Sequence, residues 1–167
     1  MTPAWAGLVR NLAVLTDFYT SPPPLEPLTV RSLYLDRRGP TLTLRFDLPA
    51  FPDRPRPEWE QNGCDTFQCQ LQFLAVDDFL LLGWNPRVTG SLDIVPTVER
   101  RVLVRLGTAG THLTFSSSDS LTIGKMSAYR SSTDGADRGH HYYVGKVDQL
   151  RYDVLPDLGE KTFYGRV

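Results

Sequence analysis

From Leu28 to Tyr129 the chain repeats one device. A run of five to eleven residues alternates apolar and polar side chains, then breaks at a glycine, a proline or a polar cluster. TFQCQLQFLAV (66–76) does so most strictly. Phe67, Cys69, Leu71 and Phe73 point one way, while Thr66, Gln68, Gln70 and Gln72 point the other. A period of two is the signature of a strand with one face in a core and one face out, and it excludes a helix. The same reading gives strands at LTVRSLYL (28–35), TLTLRFDL (41–48), SLDIV (91–95), RVLVRL (101–106), THLTF (111–115) and LTIGKMSAY (121–129). The last shifts phase near Gly124, which predicts a bulge. Asp-Arg-Arg-Gly-Pro (36–40) joins the first two as a hairpin, and turn signals recur every 8–12 residues or so. The chain therefore reads as mainly β (α+β by count), an antiparallel sheet or sandwich built as a meander.

Other segments break the pattern. Trp5, Leu8, Val9, Leu12, Leu15 and either Phe18 or Tyr19 recur at helical spacing, with Thr2 as N-cap and Pro3 in the first turn. One N-terminal amphipathic helix packed on the sheet is the expectation. DFLLLGW (78–84) is apolar on both faces, as in a central, covered strand. After TLTLRFDL, the stretch PAFPDRPRPEW (49–59) holds four prolines within nine residues. Pro49 cannot continue a ladder, so this arm reads as an extended crossing, neither strand nor helix, anchored by Phe51 and Trp59. SSTDGADRGHH (131–141) reads as a mobile polar surface loop, and VDQLRYDV (147–154) as a further strand. Residues 1–155 are expected to form a single domain, with 156–167 a tail that is partly disordered.

A chain of 167 residues suffices for one real core. A formal net charge of −1 argues against nucleic acid or an anionic membrane as partner. No apolar run is long enough to span a bilayer, and MTPAWAGLVRNLAVL is too amphipathic for a signal peptide. With two cysteines and no export signal, a cytoplasmic location is expected. Cys64 and Cys69, five apart, would lie on opposite faces of a strand and read as structural thiols. No phosphate loop, nucleophile elbow or zinc motif is present. His140 and His141 in a polar loop read as solvated, and His112 as a surface residue. No catalytic, cofactor-binding or metal-binding residue is assigned.

Two features read either as an ordinary solvated sheet face or as a binding surface. The outward row Thr41, Thr43, Arg45, Asp47 beside Thr66, Gln68, Gln70, Gln72 would make a broad polar sheet face, rich in donors and acceptors. The charge also splits along the chain. Residues 58–93 hold Glu58, Glu60, Asp65, Asp77, Asp78 and Asp93 against Arg87, whereas 100–130 hold Arg100, Arg101, Arg105, Lys125 and Arg130 against Asp119. Adjacent strands can neutralise one another, or the acids can gather to steer a basic partner.

RSLYLDRRGPTLTLRFDLPAFPDRPRPEW followed by CDTFQCQLQFLAVDDFLLLGW resembles the immunity protein 50 family of bacterial polymorphic-toxin systems. The resemblance rests on the strand Gly39–Pro49, the Phe51–Pro55 element leading to Trp59, and the strand Leu71–Val76 running on to Trp84. It covers roughly residues 1–130, with KMSAYRS (125–131) as closing strand, and nothing transfers to residues 133–167. It implies a cytoplasmic antidote that binds a cognate toxin domain, with no enzyme activity and no cofactor. On this reading Arg45, Asp47, Glu58, Gln68, Gln70, Gln72, Asp77 and Asp78 are the candidate partner contacts. The competing readings are a β-sandwich carbohydrate-binding module, with Trp59, Trp84, Tyr142 and Tyr143 as stacking platforms, and an enzyme built on His140 or His141.

Overall fold

The computed structural model describes residues 3–84, 87–108 and 110–151. Nine strands form one sheet: β1 (Leu28–Asp36), β2 (Thr41–Asp47), β3 (Thr66–Phe73), β4 (Asp77–Leu82), β5 (Val88–Pro96), β6 (Arg101–Thr108), β7 (Thr111–Ser118), β8 (Thr122–Tyr129) and β9 (His141–Tyr143). Their order is β4-β7-β6-β5-β1-β2-β3-β8-β9, and every named pairing is antiparallel. The mainly β, antiparallel expectation is met, as is the β1–β2 hairpin. The predicted bulge is present too. Cys69 pairs with Met126 and Leu71 with Ile123, so Gly124 and Lys125 together face Gln70.

The sheet folds over on itself. Phe73 of β3 meets Phe115 of β7 edge-on with centroids 5.0 Å apart, although four strands separate them in the order. The seam between the halves is short, only Leu28–Val30 against Val88–Gly90. Inward residues of both halves, among them Leu42, Leu44, Phe46, Phe67, Leu71, Val102, Val104, Leu106, Leu113 and Phe115, form one buried cluster. Burying such side chains is worth about 1.5–3 kcal/mol each. Cys69 lies in this core and Cys64 at the strand end, both free thiols as expected. Burial pushes the Cys64 thiol up to about 11, which leaves it a poor nucleophile.

The N-terminal helix is not continuous. A 3-10 turn (Ala4–Leu8) and a single α turn, α1 (Ala13–Thr16), are separated by Val9 in extended conformation. The backbone there bonds to the chain entering β8 instead: Arg10 N donates to Leu121 O and Leu121 N to Leu8 O, at 2.9 and 3.0 Å. Asn11 adds two bonds to the Ile123 backbone. The expected apolar residues are nonetheless the ones that bury, including Trp5, Val9, Leu15, Phe18 and Tyr19. Thr2 lies outside the described residues.

The proline arm also departs from expectation, ending in one helical turn, α2 (Pro57–Gln61). Pro57 occupies its first position, where the missing N–H costs nothing. Trp59 is fully buried among Phe18, Phe51 and Phe67, with centroids 5.0–6.4 Å away. The arm is thus an anchor, as expected of Phe51 and Trp59. Thr20 grips Asp53 through both its backbone and its hydroxyl.

Two strand expectations fail. DFLLLGW is not central: β4 is an edge strand, with Leu80 and Leu82 about half exposed. An apolar run marks a covered strand only when something covers it. VDQLRYDV begins as a helix, α3 (Lys146–Arg151), and residues 152–167, with the expected tail, lie outside the described residues. Among the described residues no helix is long and apolar enough to cross a membrane.

Candidate protein-binding surface

Strands β2 and β3 do align the expected outward row, pairing Thr43 with Gln72, Arg45 with Gln70 and Asp47 with Gln68. That face is not open. Thr43, Asp47, Gln68 and Gln70 are buried, while Arg45 and Gln72 are half-buried. The segment 131–141, expected to be a mobile loop, lies across it. Asp137 brings a carboxylate oxygen 2.7 Å from Arg45 Nη1 and 3.1 Å from Gln68 Nε2. Gly135 offers its carbonyl to Arg31 at 2.8 Å, and Ala136 is buried.

Beneath this strap the polar groups satisfy one another. Arg31 Nε donates to Asp47 Oδ2 at 2.8 Å; Tyr129 donates its hydroxyl to the same oxygen at 2.9 Å and accepts from Arg31. Gln68 donates to Asp47 Oδ1 and accepts from Arg45, which also donates to Ser32. Burial alone would raise the Asp137 carboxyl, but the bond from Gln68 and the charges of Arg45 and Arg31 hold it below the ordinary range. Burial, then Asp47, drives the Tyr129 phenol upward. A buried polar network with its partners in place rigidifies a fold. Asp47, Gln68 and Gln70 are therefore interior groups, and the exposure on which their candidacy rested is absent.

His141 is also interior. Its ring stacks on Tyr129 with centroids 4.5 Å apart, Nδ1 lies 2.7 Å from Ser127 Oγ, and Nε2 lies 2.8 Å from the Asp137 carbonyl. A carbonyl only accepts, so Nε2 carries the proton and Nδ1 accepts from Ser127. Burial holds the imidazole below its ordinary pKa. His140 faces away and is exposed, so the two imidazoles do not converge. Among the described residues no three His, Cys, Asp or Glu gather as metal ligands. The carbohydrate reading loses its platforms: Trp59 and Tyr143 are buried and Trp84 is packed on the core.

Among the described residues, the open surface lies on the other half of the sheet. Antiparallel partners share a face, so the register gives outward rows directly. Leu82, His112, Gly107 and Ser91 form one; Leu80, Thr114, Arg105 and Asp93 the next; Asp77, Ser116, Leu103 and Val95 a third. Leu80, Leu82 and Val95 are about half exposed, and His112, Arg105 and Asp93 are exposed. Asp77 meets Arg101 at 2.9 Å and Asp93 faces Arg105 across the ladder, so the acidic and basic sets are interleaved here. Asp77 and Asp78 stand at its rim, both exposed. Glu58 is exposed on α2, which precedes β3, whereas Asp77 and Asp78 follow it. The strict alternation of RVLVRL and THLTF was the signal for this face. What the sequence does not contain is which of two polar faces another segment would cover.

The family model for Immunity protein 50 matches residues 11–129. No curated protein and no solved structure matches the chain. The matched span runs from Asn11, which ties the N-terminus to β8, through Tyr129, the last residue of β8, and so holds eight of the nine strands, both halves of the folded sheet and the open face. The strap and β9 follow it. On that match the chain belongs to the immunity protein 50 family.

Proposed function

We propose that this protein neutralises a cognate bacterial toxin by binding its toxin domain stoichiometrically, in the cytoplasm and without chemistry of its own. The observation that carries the reading is the family match over residues 11–129. The fold supports it: among the described residues, the strap closes the outer face of β2 and β3, while the outer face of β4 to β7 stays open to a partner. Leu80, Leu82, Leu103 and Val95 supply apolar area there, interspersed with Asp77, Asp93, Arg105 and His112, the usual mixture of a protein interface. Of the residues expected from sequence, Asp77 and Asp78 belong to this contact. Arg45, Asp47, Gln68 and Gln70 support the fold behind it, and Gln72 and Glu58 lie away from it.

The test is co-expression with the product of the neighbouring reading frame, which this reading expects to end in a toxin domain. The expected result is rescued growth and a complex of defined stoichiometry on size exclusion. Toxicity that persists in cells with abundant folded protein would defeat the reading.

A further inference from the structure

The sheet ends in two very different edges. At one, β9 has only three residues, and α3 packs on it. Gln149 Nε2 donates to Tyr143 O at 2.7 Å, occupying a backbone acceptor of that strand. This edge is closed. At the other, β4 has six residues, about 20 Å of strand, and pairs only with β7. No strand among the described residues lies on its far side.

Natural edge strands are normally blunted by lysine, proline, a bulge or a covering segment. Among the described residues the bulge sits at the start of β4. Asp78 takes a positive φ of 51° and the register slips between Asp77 and Leu80. Beyond it, Phe79, Leu80, Leu81 and Leu82 carry no charge and no proline, with two leucines half exposed. An edge with no partner strand among the described residues, beside exposed leucines, favours an added strand, the mode in which backbone bonds give affinity and alternate side chains give specificity.

We propose that β4 is extended by a strand of the toxin domain, so that recognition is by strand addition at this edge together with the adjoining face. The proposal rests on the toxin-binding reading above. The incoming segment carries apolar residues against Leu80 and Leu82 and a lysine or arginine facing Asp78. A second copy of this chain fits less well. Two-fold antiparallel pairing about the leucines sets Asp78 opposite the 82–84 stretch, which holds no cation.

The experiment uses the full chain and the C-terminal domain of the neighbouring reading frame's product, once that domain has been shown to be toxic on its own. Wild type, the double variant Leu80→Lys/Leu82→Lys and the single variant Asp78→Arg are compared by calorimetry, with amide exchange followed in free and bound wild type. The changed side chains are exposed, so circular dichroism and the thermal midpoint should stay close to wild type. Binding is expected to weaken tenfold or more for the double variant and severalfold for Asp78→Arg, with residues 79–82 protected in the complex. If wild type binds but the double variant matches its Kd and β4 amides stay unprotected, strand addition is wrong while toxin binding stands. If wild type does not bind the toxin domain, the functional reading falls and this proposal with it. Protection of β4 in a dimer of the free protein would make a second copy the occupant and overturn the toxin strand.

Discussion

At the scale of single residues, Trp59 and His141 do the most to fix the fold. Trp59 is fully buried in an aromatic cluster, yet its indole N–H meets no acceptor among the described residues. Its contribution is therefore volume. Trp59→Ala is expected to cost about 3–5 kcal/mol, and Trp59→Phe much less, because it removes the unmet donor while keeping a ring. Urea melts of the two variants check this, and equal losses would mean that the indole nitrogen matters. His141 makes stability depend on pH. Its pKa in the fold lies below the ordinary histidine value near 6.5, so the unfolded chain binds the extra proton first. The contribution is complete above about pH 6.5 and is lost as pH falls from there toward the folded pKa, by at most about 1.4 kcal/mol per pH unit. The Asp137 carboxyl, held low, adds its own loss only in a more acidic window, below about pH 4. His141→Gln is expected to flatten the decline in urea midpoint between pH 7.5 and 5.5. An equal decline in both proteins would move the effect elsewhere.

At the scale of elements, the strap 131–141 is the part that sequence reading valued least. Its serines, glycines and charges look like a solvated loop, and each is consistent with one. What locks it is one carboxylate set between Arg45 and Gln68, and one histidine bonded back to the Asp137 carbonyl. Local composition cannot encode these contacts, since Asp137 and Arg45 are 92 residues apart. Asp137→Ala is expected to lose roughly 1.5–3 kcal/mol and to speed amide exchange in 131–144 more than in β6 or β7. Uniformly raised exchange would show that the strap is not a separate unit. Strands, by contrast, were legible wherever alternation was strict, because period two reports a face directly. β4 was misplaced for the complementary reason: apolar residues on both sides say that cover is needed, not that the chain itself supplies it. The N-terminal stripe was right in its buried residues and wrong in its backbone, since Val9 and Arg10 bond to the β8 entrance in place of another helical turn.

At the scale of the whole molecule, the fold depends on pairings remote in sequence. Residues 66–72 pair with 122–129, and 77–82 with 112–116. Loop closure must precede those contacts, so refolding is expected in milliseconds to seconds, as for other sheet proteins. Stopped-flow fluorescence from the buried Trp59 would show it, and completion within tens of microseconds would contradict the topology. The fold class, the hairpin, the bulge and the family were legible in the sequence; the closed face was not, because only the fold brings its cover to it. The open face has one more consequence. Along β6 and β7 the residues that hold the core, Val102, Val104, Leu106, Leu113 and Phe115, alternate with those that meet the outside, Leu103, Arg105, His112 and Thr114. Each outer position can mutate while its inner neighbours stay untouched. The outward surface can thus be rewritten one residue at a time, at little risk to folding.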